Sequence, residues 1–199
     1  MIIFLNGVSS SGKTSLGRAL QYLSDRPLLL TGIDTFLTMM PKGYLEFTPK
    51  ASERKDSDLP GHVHEVHPET FGDRVMKVIA PVVAALSVAG IDTIVDEVVV
   101  DDDALRSYVH VLKDYTVYFV GVHCNLELLE EREILRGDRD IGLSRDQINR
   151  VHAPRLTRMY DVTVDTTYAS PFACARHILE FINKNPFPAG FKKLQEVLP

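Results

Sequence analysis

Ile2-Ile3-Phe4-Leu5-Asn6-Gly7-Val8-Ser9-Ser10-Ser11-Gly12-Lys13-Thr14-Ser15 is the stretch on which the fold turns. Met1 to Leu5 is a short apolar run rich in Ile and Phe, and it reads as a buried strand. Gly7 through Thr14 fills the pattern G-x-x-x-x-G-K-[ST] without a gap. Lys13 to Leu23 then carries apolar residues at helical spacing, at Leu16, Ala19, Leu20 and Leu23. A strand, a glycine-rich turn and a helix start in that order form an anion cradle. The glycines let the backbone curl so that successive N–H groups face one point, and the helix dipole adds to them. The phosphate-binding set expected here is Gly7, Ser9, Ser10, Ser11, Gly12, Lys13, Thr14 and Ser15. Lys13 supplies a mobile positive charge, and Thr14 offers a hydroxyl to Mg²⁺. A Gly/Ser turn that merely caps a helix is the bland alternative, and the strand before it and the helix after it argue against that.

Working outward, strands and helical stretches alternate. Leu28 to Leu30 reads as a second strand broken by Gly32. Pro68 to Ala89 reads as a long helix, opened by His67-Pro68-Glu69 and bent at Pro81. Ile91 to Val95 and Tyr115 to Val122 read as further strands, followed by a helix from about Leu126 to Arg136. Val162 to Val164 is a fifth strand, and Ser170-Pro171 opens a last helix to Ile182. Parallel strands need crossover connections, so this alternation predicts an α/β P-loop fold. The expected sheet is doubly wound and parallel, with about five strands and helices on both faces. The loop at Gly7 would lie at a switch point of that sheet. The expected organisation is one domain over residues 1–185. It carries a polar, Pro- and Gly-rich substrate segment at about 38–67 and an arginine lid at about 132–145. Residues 186–199, with Pro186, Pro188 and Gly190, are expected as a surface tail.

The chain has 199 residues and a formal net charge of -5. No block of Lys and Arg forms a basic face, so nucleic acid is not an expected partner. Cys124 and Cys174 are too few for a disulfide framework and sit in apolar stretches typical of buried thiols. No apolar run is long enough to span a membrane, and no leader pattern opens the chain; the expectation is a cytoplasmic enzyme.

Three further elements bear on chemistry. Ile91-Asp92-Thr93-Ile94-Val95-Asp96-Glu97 is an apolar strand ending in two carboxylates. Ligands in such sheets gather at the carboxyl ends of strands, which makes Asp96 a candidate for the Mg²⁺ shell beside Thr14. A solvent-facing strand end is the alternative. Glu97 opens a second possibility, a hydrolytic ATPase or nucleotide-dependent switch in which it polarises water. No Gly lies three residues after Asp96 and no Asn-Lys-x-Asp stretch occurs, so GTPase signatures are absent.

Glu131-Arg132-Glu133-Ile134-Leu135-Arg136-Gly137-Asp138-Arg139 places Arg132 and Arg136 four apart, on one helix face if the helix persists to Gly137. Arg132, Arg136 and Arg139 are the candidate phosphate clamps, and one of them could stack on adenine. Glu130, Glu131 and Glu133 offer a competing account, a salt-bridged surface helix. Asp34, in Thr31-Gly32-Ile33-Asp34-Thr35-Phe36, would lie over the same sheet edge. It either accepts the proton of an attacking hydroxyl or caps a short helix through Phe36 to Met40.

Other clusters carry less. His62, His64 and His67 lack a fourth zinc ligand and a rigid setting. Asp101, Asp102 and Asp103 read as the cap of a helix through Leu105 and Val109. His152 reads as a helix-surface histidine.

Together these stretches resemble the chloramphenicol phosphotransferase family of P-loop kinases. The matching residues are Ile2 through Lys13, Gly32-Ile33-Asp34, Ile94-Val95-Asp96 and Val120-Gly121-Val122-His123-Cys124. They continue with Arg132-Glu133 to Arg139, Val151-His152 and Tyr160-Asp161-Val162-Thr163-Val164-Asp165-Thr166-Thr167. The resemblance implies a fold similar to shikimate and adenylate kinases, and an ATP- and Mg²⁺-dependent phosphotransferase acting on a small-molecule hydroxyl. It implies Asp34 as general base, with Lys13 and Arg136 stabilising the transferring phosphoryl group. It is weakest from Thr38 to about His67, where Met39, Met40, Tyr44 and Phe47 are expected to shape the acceptor pocket. A nucleoside or nucleotide kinase would share every phosphate-side feature. The acceptor and the oligomeric state are not fixed by these residues.

Overall fold

A computed structural model describes residues 1–41, 44, 70–137 and 142–198. Five strands form a single sheet: β1 (Ile2–Asn6), β2 (Leu29–Gly32), β3 (Thr93–Glu97), β4 (Val117–His123) and β5 (Val162–Asp165). Their order is β2-β3-β1-β4-β5, and every neighbouring pair is parallel. The central strand β1 is buried along its length, as the near-continuous apolar run of a sheet covered on both faces requires.

Period-two alternation then sorts the strand residues between two cores. Ile3, Leu5, Tyr118, Val120 and Val122 face one side. There they meet α1 (Lys13–Leu23), through Leu16, Ala19 and Leu20, and α8 (Pro171–Lys184), through Cys174, Ala175 and Ile178. Ile2, Phe4, Val95 and Phe119 face the other side. That face is covered by α2 (Ile33–Met39), α3 (Phe71–Val88), α4 (Asp102–Leu112) and the short α7 (Pro154–Thr157). A third cluster, Val8, Cys124, Leu129 and Val151, joins the loop after β1 to α5 (Leu126–Arg136) and α6 (Leu143–Val151). Both cysteines are free and buried.

Several expectations need correction. The chain after Asn185 is not a surface tail: Gly190–Val197 forms a further helix, α9. Phe191, Leu194 and Leu198 recur at helical spacing and are buried against Phe4 and Phe119. Asp161 fixes its start, accepting from the N–H groups of Ala189 at 2.7 Å and Gly190 at 2.8 Å. Pro186 and Pro188 shape the turn into this helix rather than ending the fold. The helix expected from Pro68 begins at Phe71. Thr70 and Asp73 form a reciprocal capping box there, which satisfies N–H groups at the helix start. His67, Pro68 and Glu69 lie outside the described residues, as do His62, His64 and Phe47. So does most of the 38–67 segment. Among the described residues, no helix is long and apolar enough to cross a membrane.

Candidate active site

The loop after β1 is held from below before it can hold anything above. Asn6, the last residue of β1, is fully buried. Its amide nitrogen donates to the Tyr160 hydroxyl at 2.9 Å, and its oxygen accepts from the Val99 N–H at 3.0 Å. Gly7 donates to the Glu97 carbonyl, and a Cβ there would come within 2.6 Å of the Val122 carbonyl oxygen. Ser10 has φ +60°, a left-handed backbone found at no other non-glycine described residue. Backbone strain of this kind, of order 1–3 kcal/mol, persists only where surrounding bonds over-determine it. Thr166 is one source of that restraint: its hydroxyl donates to the Ser11 carbonyl at 2.7 Å. Arg132 is another, reaching the Ser10 carbonyl at 3.3 Å and the Thr166 carbonyl at 3.0 Å.

Above the loop lies a cleft of about 570 Å³. Ser9, Ser10, Gly12, Lys13, Thr14 and Ser15 line its floor; Gly7 and Ser11 stay behind the loop and do not reach it. Lys13 is 6% exposed, and its amine donates to the Val8 carbonyl at 2.9 Å and lies 3.8 Å from Asp96. Thr14 donates its hydroxyl to Asp96 at 2.7 Å. This places the carboxyl end of β3 against the helix start, as the register Leu5↔Asp96 dictates.

Asp34 and Arg136 line the same cleft, and a smaller adjoining pocket joins Asp34, Arg136, Thr14 and Asp96. Asp34 owes its place to Gly32. At φ +155° Gly32 presses on β3 so closely that a Cβ would sit 2.0 Å from the Asp96 carbonyl oxygen, and α2 starts immediately after it. Gly32, not Asp34, is the N-cap of α2; Asp34 sits inside the first turn. From α2 the cleft takes Ile33, Asp34 and Leu37, whereas Met39 and Met40 do not line it and Met39 is 73% exposed. Tyr44 packs edge-on against Phe71 instead.

The helix α5 does persist to Arg136, with Gly137 closing it in a left-handed conformation. Two of its acidic residues, Glu130 and Glu133, are spent elsewhere than on Arg132. Glu130 pairs with Arg145 at 2.6 Å. Glu133, which has no exposed surface, accepts from the N–H groups of Gly142 at 2.8 Å and Ser144 at 2.7 Å. Burial alone would raise its pKa, but these donors outweigh burial and hold the carboxyl below its ordinary value. The bidentate acceptor docks the start of α6 on α5 and brings Gln147 to the cleft, where its side-chain oxygen accepts from the Ser9 N–H at 2.8 Å. Arg139 lies outside the described residues.

Glu97 does not line the cleft. It is buried on the opposite side of the strand, accepting from the Tyr108 hydroxyl at 2.6 Å, and desolvation pushes its carboxyl up to about 7. A water-polarising role is thereby removed from it. His152 is not a surface histidine either. It is half-buried, stacked on His123 at 4.1 Å and 3.2 Å from the Tyr160 hydroxyl. Burial first, then the neighbouring His123, lowers its pKa to about 4. Asp101 accepts from the Ala104 N–H and caps α4, with Asp102 and Asp103 in its first turn.

Two observations bear on what the cleft can hold. The Ser10 hydroxyl is buried without a partner among the described residues, and the cradle of N–H groups around it suits phosphate oxygens. Thr14 and Asp96 form a hydroxyl–carboxylate pair of hard oxygen donors, the set by which Mg²⁺ binds beside nucleotide phosphates.

Fold and loop together define a protein with the P-loop kinase fold. The family described as chloramphenicol phosphotransferase-like protein matches residues 1–183, and the chain belongs to that family. Two curated relatives are 32% identical over 200 residues, covering 98% of this chain and 88% of their own. They are "Putative O-phosphotransferase MT2714" and "Putative O-phosphotransferase Rv2636", from two strains of Mycobacterium tuberculosis. Among solved structures, shikimate kinase from Acinetobacter baumannii in complex with shikimate superposes with a TM-score of 0.58 at 17% identity, covering 92% of this chain and 93% of that one. The Mycobacterium tuberculosis APS kinase in complex with AMPPNP and APS gives 0.60 at 13%, covering 92% and 96%. These two likenesses carry the fold; the family carries the activity. The chain is a small-molecule kinase, transferring phosphate to a hydroxyl.

Proposed function

We propose that the donor is Mg²⁺-ATP, that Asp34 is the general base, and that Lys13 and Arg136 carry the charge of the transferring γ-phosphoryl group. The observation that supports this reading most is convergence. A carboxylate from α2 and a guanidinium from α5 open on the one cleft that Lys13, Thr14 and Asp96 floor. A hydroxyl acceptor needs such a carboxylate on the attack side, and the dissociating γ-phosphoryl needs cations around its oxygens.

In this mechanism the N–H groups of Ser10 to Ser15 seat the phosphates. Lys13 leaves the Val8 carbonyl for the β- and γ-oxygens. Arg132, Ala169 and Pro171 frame the end of the cleft that takes the base. Thr14 and Asp96 would hold Mg²⁺ through their oxygens, and the ion would supply positive charge to the phosphates. Asp34 accepts the acceptor's hydroxyl proton as its oxygen bonds to the γ-phosphorus. The bond from that phosphorus to the β,γ-bridging oxygen breaks, and ADP leaves with the electron pair. A cytoplasmic setting, where ATP is abundant, fits this chemistry.

The test is ATP turnover with Mg²⁺ in the presence and absence of hydroxylated compounds: chloramphenicol, shikimate-like acids, nucleosides and sugars. Stimulation by one class, with product heavier by one phosphoryl group in mass spectrometry, is the expected outcome. Vigorous turnover indifferent to every acceptor would overturn the reading in favour of a hydrolase.

A further inference from the structure

The cleft has a wall that no motif announced, and it is polar at one point. The helix α6 contributes Leu143 and Gln147 to the lining. Its position is set by the two bonds from the buried Glu133 carboxylate to Gly142 and Ser144, so Gln147 projects from a fixed base. The Ser9 N–H, 2.8 Å away, can meet only the carbonyl half of that carboxamide. The amide is therefore oriented: its oxygen faces the loop and its NH₂ faces away from it.

The loop also has two distinguishable ends. At Gly12 it abuts Arg132 and Thr166, next to Ala169 and Pro171. At Ser9 it abuts Gln147, and Val98 and Val100 pack against the cluster that holds the preceding Val8. A nucleotide laid with its base toward Arg132, Ala169 and Pro171 presents its terminal phosphate toward Ser9. On the reading given above, that is where charge moves during transfer.

We propose that Gln147 is a catalytic residue whose NH₂ donates to an oxygen of the transferring phosphoryl group, with its carbonyl anchored on the Ser9 N–H. This inference rests on the kinase reading, yet it differs from it in needing neither Asp34 nor any particular acceptor. A donor aimed at a developing charge acts on the transition state more than on the bound ground state.

The experiment compares affinity for Mg²⁺-ADP with affinity for Mg²⁺-ADP plus aluminium fluoride, a planar mimic of the phosphoryl group in flight. Titration calorimetry is run on wild type, Gln147→Met and Gln147→Glu. Wild type should bind more tightly when aluminium fluoride is added. Gln147→Met should lose about 10- to 100-fold of that gain while plain Mg²⁺-ADP binds as before. Gln147→Glu, which keeps an oxygen for the Ser9 N–H but has no NH₂, should lose it as well.

Full retention of the gain in Gln147→Met would overturn the proposal. So would tighter binding of ADP alone, because the amide would then be a plug on the Ser9 N–H. A parallel loss of plain ADP affinity and thermal stability would reduce Gln147 to a pin for α6. A wild type that gains nothing from aluminium fluoride would overturn the assignment of this cleft's Ser9 end as the seat of transfer, and this inference with it.

Discussion

The two walls of the cleft are built in opposite ways. The phosphate side comes from one continuous stretch, Asn6 to Ser15, whose chemistry is mostly backbone and whose conformation is forced by its own glycines and by the bonds beneath it. The facing side is assembled from Ile33, Asp34 and Leu37 on α2, Val98 and Val100 after β3, and Leu143 on α6, while Gln147 of α6 joins the phosphate side through its bond to Ser9. A contiguous cradle is a local property and reads the same wherever phosphate is bound. A wall gathered from three distant elements is a property of the tertiary fold, and on the proposed reading it is the wall that meets the acceptor. On the proposed reading donor and acceptor recognition are separable, so substitutions on one side should leave the other nearly untouched.

The strongest way to break that separation is at Lys13. Lys13→Ala should lower phosphoryl transfer about 100- to 1,000-fold for every acceptor alike, because it removes a cation from the transition state. Steady-state rates with two different acceptors check this, and unequal losses would show that the sides are coupled. A smaller effect is expected at Leu37. Leu37→Ala should raise the acceptor KM about 10-fold, on the order of 1.4 kcal/mol for lost apolar contact, with ATP affinity unchanged. Parallel weakening of ATP binding would contradict the division.

The smallest effect concerns the support beneath the loop, where His152 meets the Tyr160 hydroxyl that accepts from Asn6. His152 is held neutral with its pKa near 4, while the unfolded chain takes up a proton near the ordinary 6.5. Between those values the unfolded state binds more protons, so the stability due to this site is present above about pH 6.5 and lost as pH falls toward 4. His152→Gln should flatten that slope in thermal midpoints compared at pH 7 and pH 5, leaving a remnant from His123, which burial also holds low. An unchanged slope would remove His152 from the account.

Much of the fold was legible because it is local. The strand at Ile2–Asn6, the cradle and α1 follow from period and glycine placement, and the five-stranded parallel sheet follows from the alternation of elements. The residues that escaped notice depend on pairing across the chain. Phe191, Leu194 and Leu198 have helical spacing, but Pro186 and Pro188 masked it, and α9 lies beyond the residues matched by the family. Glu133 looked like a surface partner for arginine; only the approach of Gly142 and Ser144 shows it as a buried acceptor. Gln147 gave no signal at all, since one glutamine on a polar helix becomes informative only when the Ser9 N–H is opposite. Asp34 was legible as a candidate, whereas its orientation depends on Gly32 meeting Asp96 across the β2–β3 edge.

The central claim is that this cleft transfers a phosphoryl group to a hydroxyl under a carboxylate base. It is met most directly by measuring ATP binding and acceptor phosphorylation side by side in wild type and Asp34→Asn. The account predicts that the variant binds Mg²⁺-ATP as wild type does, while phosphorylated product falls about 100- to 10,000-fold. Full transfer by Asp34→Asn, with ATP bound equally well, would contradict it.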